Sequence, residues 1–127
     1  MSSVISSVVV NAADPAVVAA FWCQVLGWET QEVFDGGVAI GPPGGGGPTM
    51  DVVLVTDEKQ GPNRLHLDLR AEGSTTREEL ERLLGLGARR VDVGQPADAT
   101  WVVLADPEGN EFCLLARSAQ EVAGVGV

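Results

Sequence analysis

The stretch NRLHLDLR, residues 63–70, holds the only histidine of the chain and sets an aspartate two positions after it. Read with a strand's period of two, Leu65, Leu67 and Leu69 point one way, and Arg64, His66, Asp68 and Arg70 point the other. His66 and Asp68 then lie roughly 6.5–7 Å apart along one face. A carboxylate near an imidazole fixes its tautomer and supports its protonated form, which suits general acid–base work on a bound molecule. The plainer alternative is a structural ion pair on a solvated strand face. Arg64 and Arg70 share that face by parity and can pair an anionic group or acidic surface residues. Two thiols, Cys23 and Cys113, are far apart in sequence and show no CxxC or zinc-ribbon spacing, so both read as reduced. Cys113 is a nucleophile only if a nearby cation lowers its pKa, and an inert thiol is the expectation.

The totals exclude several classes of function. The chain has 127 residues, 45% hydrophobic and 20% charged, which fits one domain with its own core. Its formal charge is −10 with a single lysine, Lys59, so neither nucleic acid nor an anionic membrane is an expected partner. No apolar run approaches the roughly 20 residues of a membrane span. The N-terminal MSSVISSVVV lacks a basic signal-peptide region, and a cytoplasmic location is expected. GPPGGGGP (41–48) lacks the Lys-Ser/Thr of a phosphate loop, GxSxG is absent, and so is tyrosine.

The elements that must position these residues follow from pattern. Residues 4–10 read as a strand. Asp14 and Pro15 open a helix over 15–26, with Val18, Phe21, Trp22, Val25 and Leu26 as its apolar stripe and Gly27 as its stop. Strands follow at 28–34, 38–41 and 50–56, with Gly36-Gly37 as a hairpin signal. The order then repeats: a strand at 64–70, a helix at 76–86, and strands at 89–94, 100–105 and 111–117. Thr75 with Glu78, or Thr76 with Glu79, can form a capping box, and Leu80, Leu83, Leu84 and Leu86 make the helical stripe. DPEGN (106–110) is a turn, and the tail from 118 on has no firm reading. One helix among four strands in each half gives an α+β fold with an internal repeat.

The stretches DPAVVAAFWCQVLGW (14–28), NRLHLDLR (63–70) and WVVLADPEGNEFCLL (101–115) together resemble the vicinal oxygen chelate superfamily, which includes glyoxalase I, the bleomycin-resistance proteins and extradiol dioxygenases. The resemblance spans nearly the whole chain. It implies a single domain over 1–127 made of two βαβββ modules, about 4–56 and 64–117. They form a curved mixed sheet around a pocket, with helices on the convex face. It also implies a homodimer.

In metal-using relatives, ligands stand on the first and last strands of each module. Carried over, the first position falls on Ser7, seven residues before Asp14, and the second near Val53, with Asp51 the nearest carboxylate. The third falls on His66. The fourth belongs to a motif of glycine, Asn or His, any residue, an apolar residue and glutamate. Here it reads Gly109, Asn110, Glu111, Phe112 and Cys113, with cysteine in the glutamate's place. A serine is a weak ligand and a valine none, so no catalytic metal and no other cofactor is expected.

The resemblance therefore implies a small-molecule-binding protein of the bleomycin-resistance kind. Its pocket would be lined by Ser7, Val53, His66, Trp101 and Cys113, with Trp101 as a stacking surface if its strand face turns inward. The alternatives are a metal-independent lyase, isomerase or cyclase in which His66 and Asp68 move a proton, and a metal-dependent lyase or dioxygenase.

Overall fold

A computed structural model describes residues 1–124. The chain divides into two compact units, Met1–Glu58 and the remainder from Lys59 on.

In the first unit, β1 (Ser7–Ala12), α1 (Pro15–Leu26), β2 (Glu29–Phe34), β3 (Gly37–Gly41) and β4 (Thr49–Leu54) follow in order. The strands form a mixed sheet, β1-β4-β3-β2, in which only β1 and β4 run parallel. The helix begins and ends as its sequence dictates. The Asp14 carboxylate accepts the Val17 N–H, Pro15 occupies the first turn, and Gly27 closes the helix at φ 66°. Val18, Phe21, Trp22 and Val25 are buried as the stripe requires, and Ala19 joins them. Phe21 and Trp22 meet edge to face with ring centroids 5.3 Å apart. Met50, Ile40 and Val52 complete this core on the sheet.

Two details of the first unit differ from the sequence pattern. β1 starts at Ser7 rather than residue 4. The β2–β3 hairpin turns on Asp35-Gly36, not Gly36-Gly37, because Phe34 pairs directly with Gly37. Gly36 supplies the positive φ of the turn. Gly37 serves a different need: a Cβ there would come within 2.6 Å of the Phe34 ring and 2.7 Å of the Val52 carbonyl oxygen.

The second unit contains β5 (Asp68–Leu69), α2 (Thr76–Gly85), β6 (Arg89–Arg90), β7 (Val102–Ala105), β8 (Glu111–Leu114) and α3 (Ala119–Val122). Its sheet order is β5-β8-β7-β6, the same plan as the first, with β5 parallel to β8. Each unit is thus a βαβββ module, and the expected α+β fold is present. The capping box is the Thr75–Glu78 one. Of the leucine stripe on α2, Leu83 is fully buried, Leu80 and Leu86 are half-buried, and Leu84 is exposed.

The expected seven-residue strand at 64–70 is only two residues long. The register explains it: Asp68 opposes Cys113, so residues before about 66 would have to pair upstream of Glu111, where the chain is already in the DPEGN turn. Pairing begins with the Leu67 carbonyl, which accepts the Cys113 N–H. The leucine face is correspondingly not a core. Leu65 is 90% exposed, and Leu67 and Leu69 are only half-buried. The fully buried layer of this sheet is Leu104, Phe112 and Leu114 instead. β6 is also shorter than the expected 89–94, because Asp92 accepts the Gly94 N–H and Gln95 accepts the Val93 N–H, turning the backbone away. α3 was not read from the sequence. Ser118 and Glu121 cap it reciprocally. The expectation for the tail beyond residue 124 lies outside the described residues.

Candidate functional site

The DPEGN turn sets the geometry of the site. Asp106 is fully buried. One carboxylate oxygen accepts the Glu108 and Asn110 N–H groups, and the other accepts the Asn110 side-chain amide. This locks the β7–β8 register, with Val103 opposite Cys113 and Ala105 opposite Glu111. Cys113 in turn opposes Asp68 across the parallel pair. Side chains of alternate residues share a face, so Val103, Cys113 and Asp68 form a row across the sheet. His66, Glu111 and Leu115 join the same face by parity, and Trp101 lies two residues before Val103. A cavity of about 440 Å³ opens on this face, lined by all of these residues together with Pro62, Asn63 and the Val93–Gln95 turn.

Three polar groups on its wall come together. His66 Nε2 lies 3.0 Å from Asp68 Oδ1, and both side chains are about half exposed, at 50% and 49%. Cys113 is buried. Burial pushes its thiol up from the ordinary range, and the Asp68 charge and a hydrogen bond to Asp68 push it the same way. The carboxylate of Asp68 thus lies against an imidazole and accepts from a thiol. Cys113 is held as a thiol, the unreactive form.

Glu111 sits on the same face, two residues from Cys113. Its Oε1 is 2.6 Å from Lys59 Nζ and its Oε2 is 2.8 Å from it. Oε1 also accepts the Asn63 N–H, and Lys59 donates to the Gly61 carbonyl. Burial pushes the Glu111 carboxyl up. The hydrogen bonds from Lys59 and the backbone, with the lysine's charge, outweigh that and hold it below its ordinary value. The pair straps residues 59–63 against β8 and forms one wall of the cavity.

Of the site residues expected from sequence, His66, Asp68, Cys113 and Trp101 line one cavity. Trp101 remains 37% exposed there, which answers the question of its parity. Ser7 and Val53 belong to the first unit. Ser7 pairs with Thr49 and Val53 with Asn11, so they stand about 13 Å apart along their sheet rather than side by side. Arg70 turns away to the Arg117 carbonyl, and neither it nor Arg64 lines the cavity. Sequence reasoning passed over Glu111, Asn63 and the 93–95 turn. Glu111 was legible by parity with Cys113. The turn was signalled by the Gly94-Gln95-Pro96 sequence that ends β6.

Ligand atoms of His66, Asp68 and Cys113 lie within 4.8 Å of one another. This is one imidazole, one carboxylate and one sulfur. Hard divalent ions such as manganese take oxygen-rich sets, so the trio does not suit them, whereas zinc accepts all three donor types. Glu111, the other carboxylate on the cavity wall, is committed to Lys59.

The fold is that of the vicinal oxygen chelate superfamily. Within it, the chain belongs to the glyoxalase-like domain family, whose profile matches residues 7–115. Among solved structures, it is similar to the genomically encoded fosfomycin resistance protein FosX from Listeria monocytogenes, at a TM-score of 0.70 and 17% identity, covering 98% of each chain. A mutant of FosX complexed with Mn(II) and 1S,2S-dihydroxypropylphosphonic acid gives 0.68 and 16%, covering 95% of each. A glyoxalase/bleomycin resistance protein/dioxygenase family enzyme from Burkholderia phytofirmans gives 0.64 and 20%, covering 88% of this chain and 97% of the other. No curated protein matches the sequence. No described helix is long and apolar enough to cross a membrane.

Proposed function

We propose that the protein binds a small organic molecule in the second unit's cavity, in the manner of a bleomycin-resistance-type protein, without a catalytic metal. The observation that carries this reading is Trp101. A large aromatic residue left 37% exposed on the wall of a 440 Å³ cavity is a ready stacking surface. We read the two units as modules of one domain, acting as a cytoplasmic homodimer; light scattering tests the pairing. A thermal-shift screen of polycyclic natural products and thiol conjugates tests the binding. Stabilisation that disappears in Trp101→Leu supports it. A screen in which every hit survives that substitution would sink it.

The His66–Asp68 contact favours a second reading, metal-independent proton transfer on the bound molecule by a lyase, isomerase or cyclase. Deuterium uptake into a bound carbonyl compound, lost in both His66→Ala and Asp68→Asn, is its signature. The mutual distances of His66, Asp68 and Cys113 favour a third, zinc-dependent one. Stoichiometric zinc in the purified protein, lost in His66→Ala, would establish that and remove the metal-free reading.

A further inference from the structure

We infer that the molecule taken up in this cavity is an amphipathic organic cation, a protonated amine carried on a flat apolar body. This rests on the small-molecule-binding reading above and adds the ligand's class to it. The argument begins with the charges on the wall. Two carboxylates, Asp68 and Glu111, line the cavity, and no lysine or arginine does. Glu111 is already matched by Lys59, whose ammonium lies against both of its oxygens. Asp68 is not matched by a fixed cation. Its partners are the His66 imidazole and the Cys113 thiol, and its side chain is still 49% exposed. The wall therefore presents one accessible negative charge and no permanent positive one. An anionic ligand would meet repulsion and lose its hydration without repayment. An ammonium would gain a charge-assisted hydrogen bond.

The rest of the surface fits the other end of such a molecule. In the strand order, Asp68 on β5 and Val103 on β7 are separated by β8 alone, and Trp101 lies two residues before Val103, just ahead of β7. Two strand spacings combined with that two-residue offset put the Asp68 and Trp101 backbones about 12 Å apart. Between them lie Cys113 and Val103, both nearly covered and both apolar in character. A two-ring body lying over Cys113 and Val103 reaches the indole of Trp101 while its ammonium sits at Asp68. The indole face itself attracts cationic character. At longer range the formal charge of −10 enriches cations near the protein and slows the approach of anions.

The test uses three probes with the same ring system: 2-(2-naphthyl)ethylammonium, 2-(2-naphthyl)ethanol and 2-naphthylacetate. Each is titrated calorimetrically into the full chain at pH 8. The ammonium binds about tenfold more tightly than the alcohol, and the carboxylate binds most weakly. In Asp68→Asn the ammonium's advantage collapses to about twofold or less, while in Glu111→Gln most of it persists because Lys59 had already cancelled that charge. Raising the salt concentration shrinks the advantage in the wild type. Equal affinities for the three probes, or a preference for the carboxylate, with binding still lost in Trp101→Leu, would overturn the cation inference and leave the binding reading standing. No binding by any probe, or binding indifferent to Trp101→Leu, would overturn both.

Discussion

At the scale of single residues, the site turns on Asp68, which lies 3.0 Å from the His66 imidazole and accepts a hydrogen bond from the Cys113 thiol. The carboxylate is one of the causes that hold the Cys113 thiol protonated, after burial itself. Removing its charge therefore lowers the pH at which the thiolate forms. In a Cys23→Ala background, the pH profile for alkylation of Cys113 shifts downward in Asp68→Asn, and the rate at neutral pH rises. An unchanged profile would mean that burial alone governs the thiol. The pairing of His66 with Asp68 was legible from the i, i+2 spacing, because a period of two holds through this short segment. The link to Cys113 was not. It depends on a parallel register spanning residues far apart in sequence, and nothing in either local sequence specifies that register.

At the scale of elements, the helix limits were the most readable feature. Asp14, Pro15 and Gly27, and Thr75 with Glu78, act through local hydrogen bonds and backbone angles. Strand lengths were less readable, since a strand extends only as far as a neighbour offers partners; β5 stops short for that reason although its sequence alternates further. The β2–β3 hairpin gives a direct test of close packing. Gly37→Ala pushes a methyl group into the Phe34 ring and the Val52 carbonyl. It costs about 1–3 kcal/mol in chemical denaturation, whereas a tolerated substitution would show that the strands can spread.

The strap from Lys59 to Asn63 belongs to this scale as well. The Glu111 carboxyl is held below its ordinary value near 4.5. Its contribution is present above that value and is lost as pH falls through the depressed folded-state value. Between about pH 5 and pH 3, the wild type therefore loses stability more steeply than Glu111→Gln. Lys59→Met, which leaves a largely covered carboxylate without its cation, costs about 1–3 kcal/mol at neutral pH. Denaturant unfolding at a series of pH values checks both.

At the scale of the molecule, the repeat of one plan in two units was visible in the order of elements, though the two sheets share little sequence. The resemblance to a family reached the fold for the same reason. At the cavity wall the residues carried over from it divide: His66, Trp101 and Cys113 stand there, Ser7 and Val53 belong to the first unit, and Glu111 was not among them. The whole chain also carries 18 acidic against 8 basic residues. Such an excess repels itself in the folded state, and salt screens it. The thermal midpoint accordingly rises by about 2–4 °C between low and moderate sodium chloride. A midpoint that falls with salt would show that attractive pairs such as Lys59–Glu111 dominate instead.

Lys59 is the only lysine in the sequence. Apart from the terminal amine, it is the one place where an amine-directed reagent can attach. Its nitrogen is occupied by Glu111 and by the Gly61 carbonyl. The strap that walls the cavity therefore carries a built-in chemical reporter. The extent of acylation at this single side chain measures how often the strap lifts from β8, and a ligand that presses on Pro62 and Asn63 would register as a change in labelling, with no dye or mutation introduced.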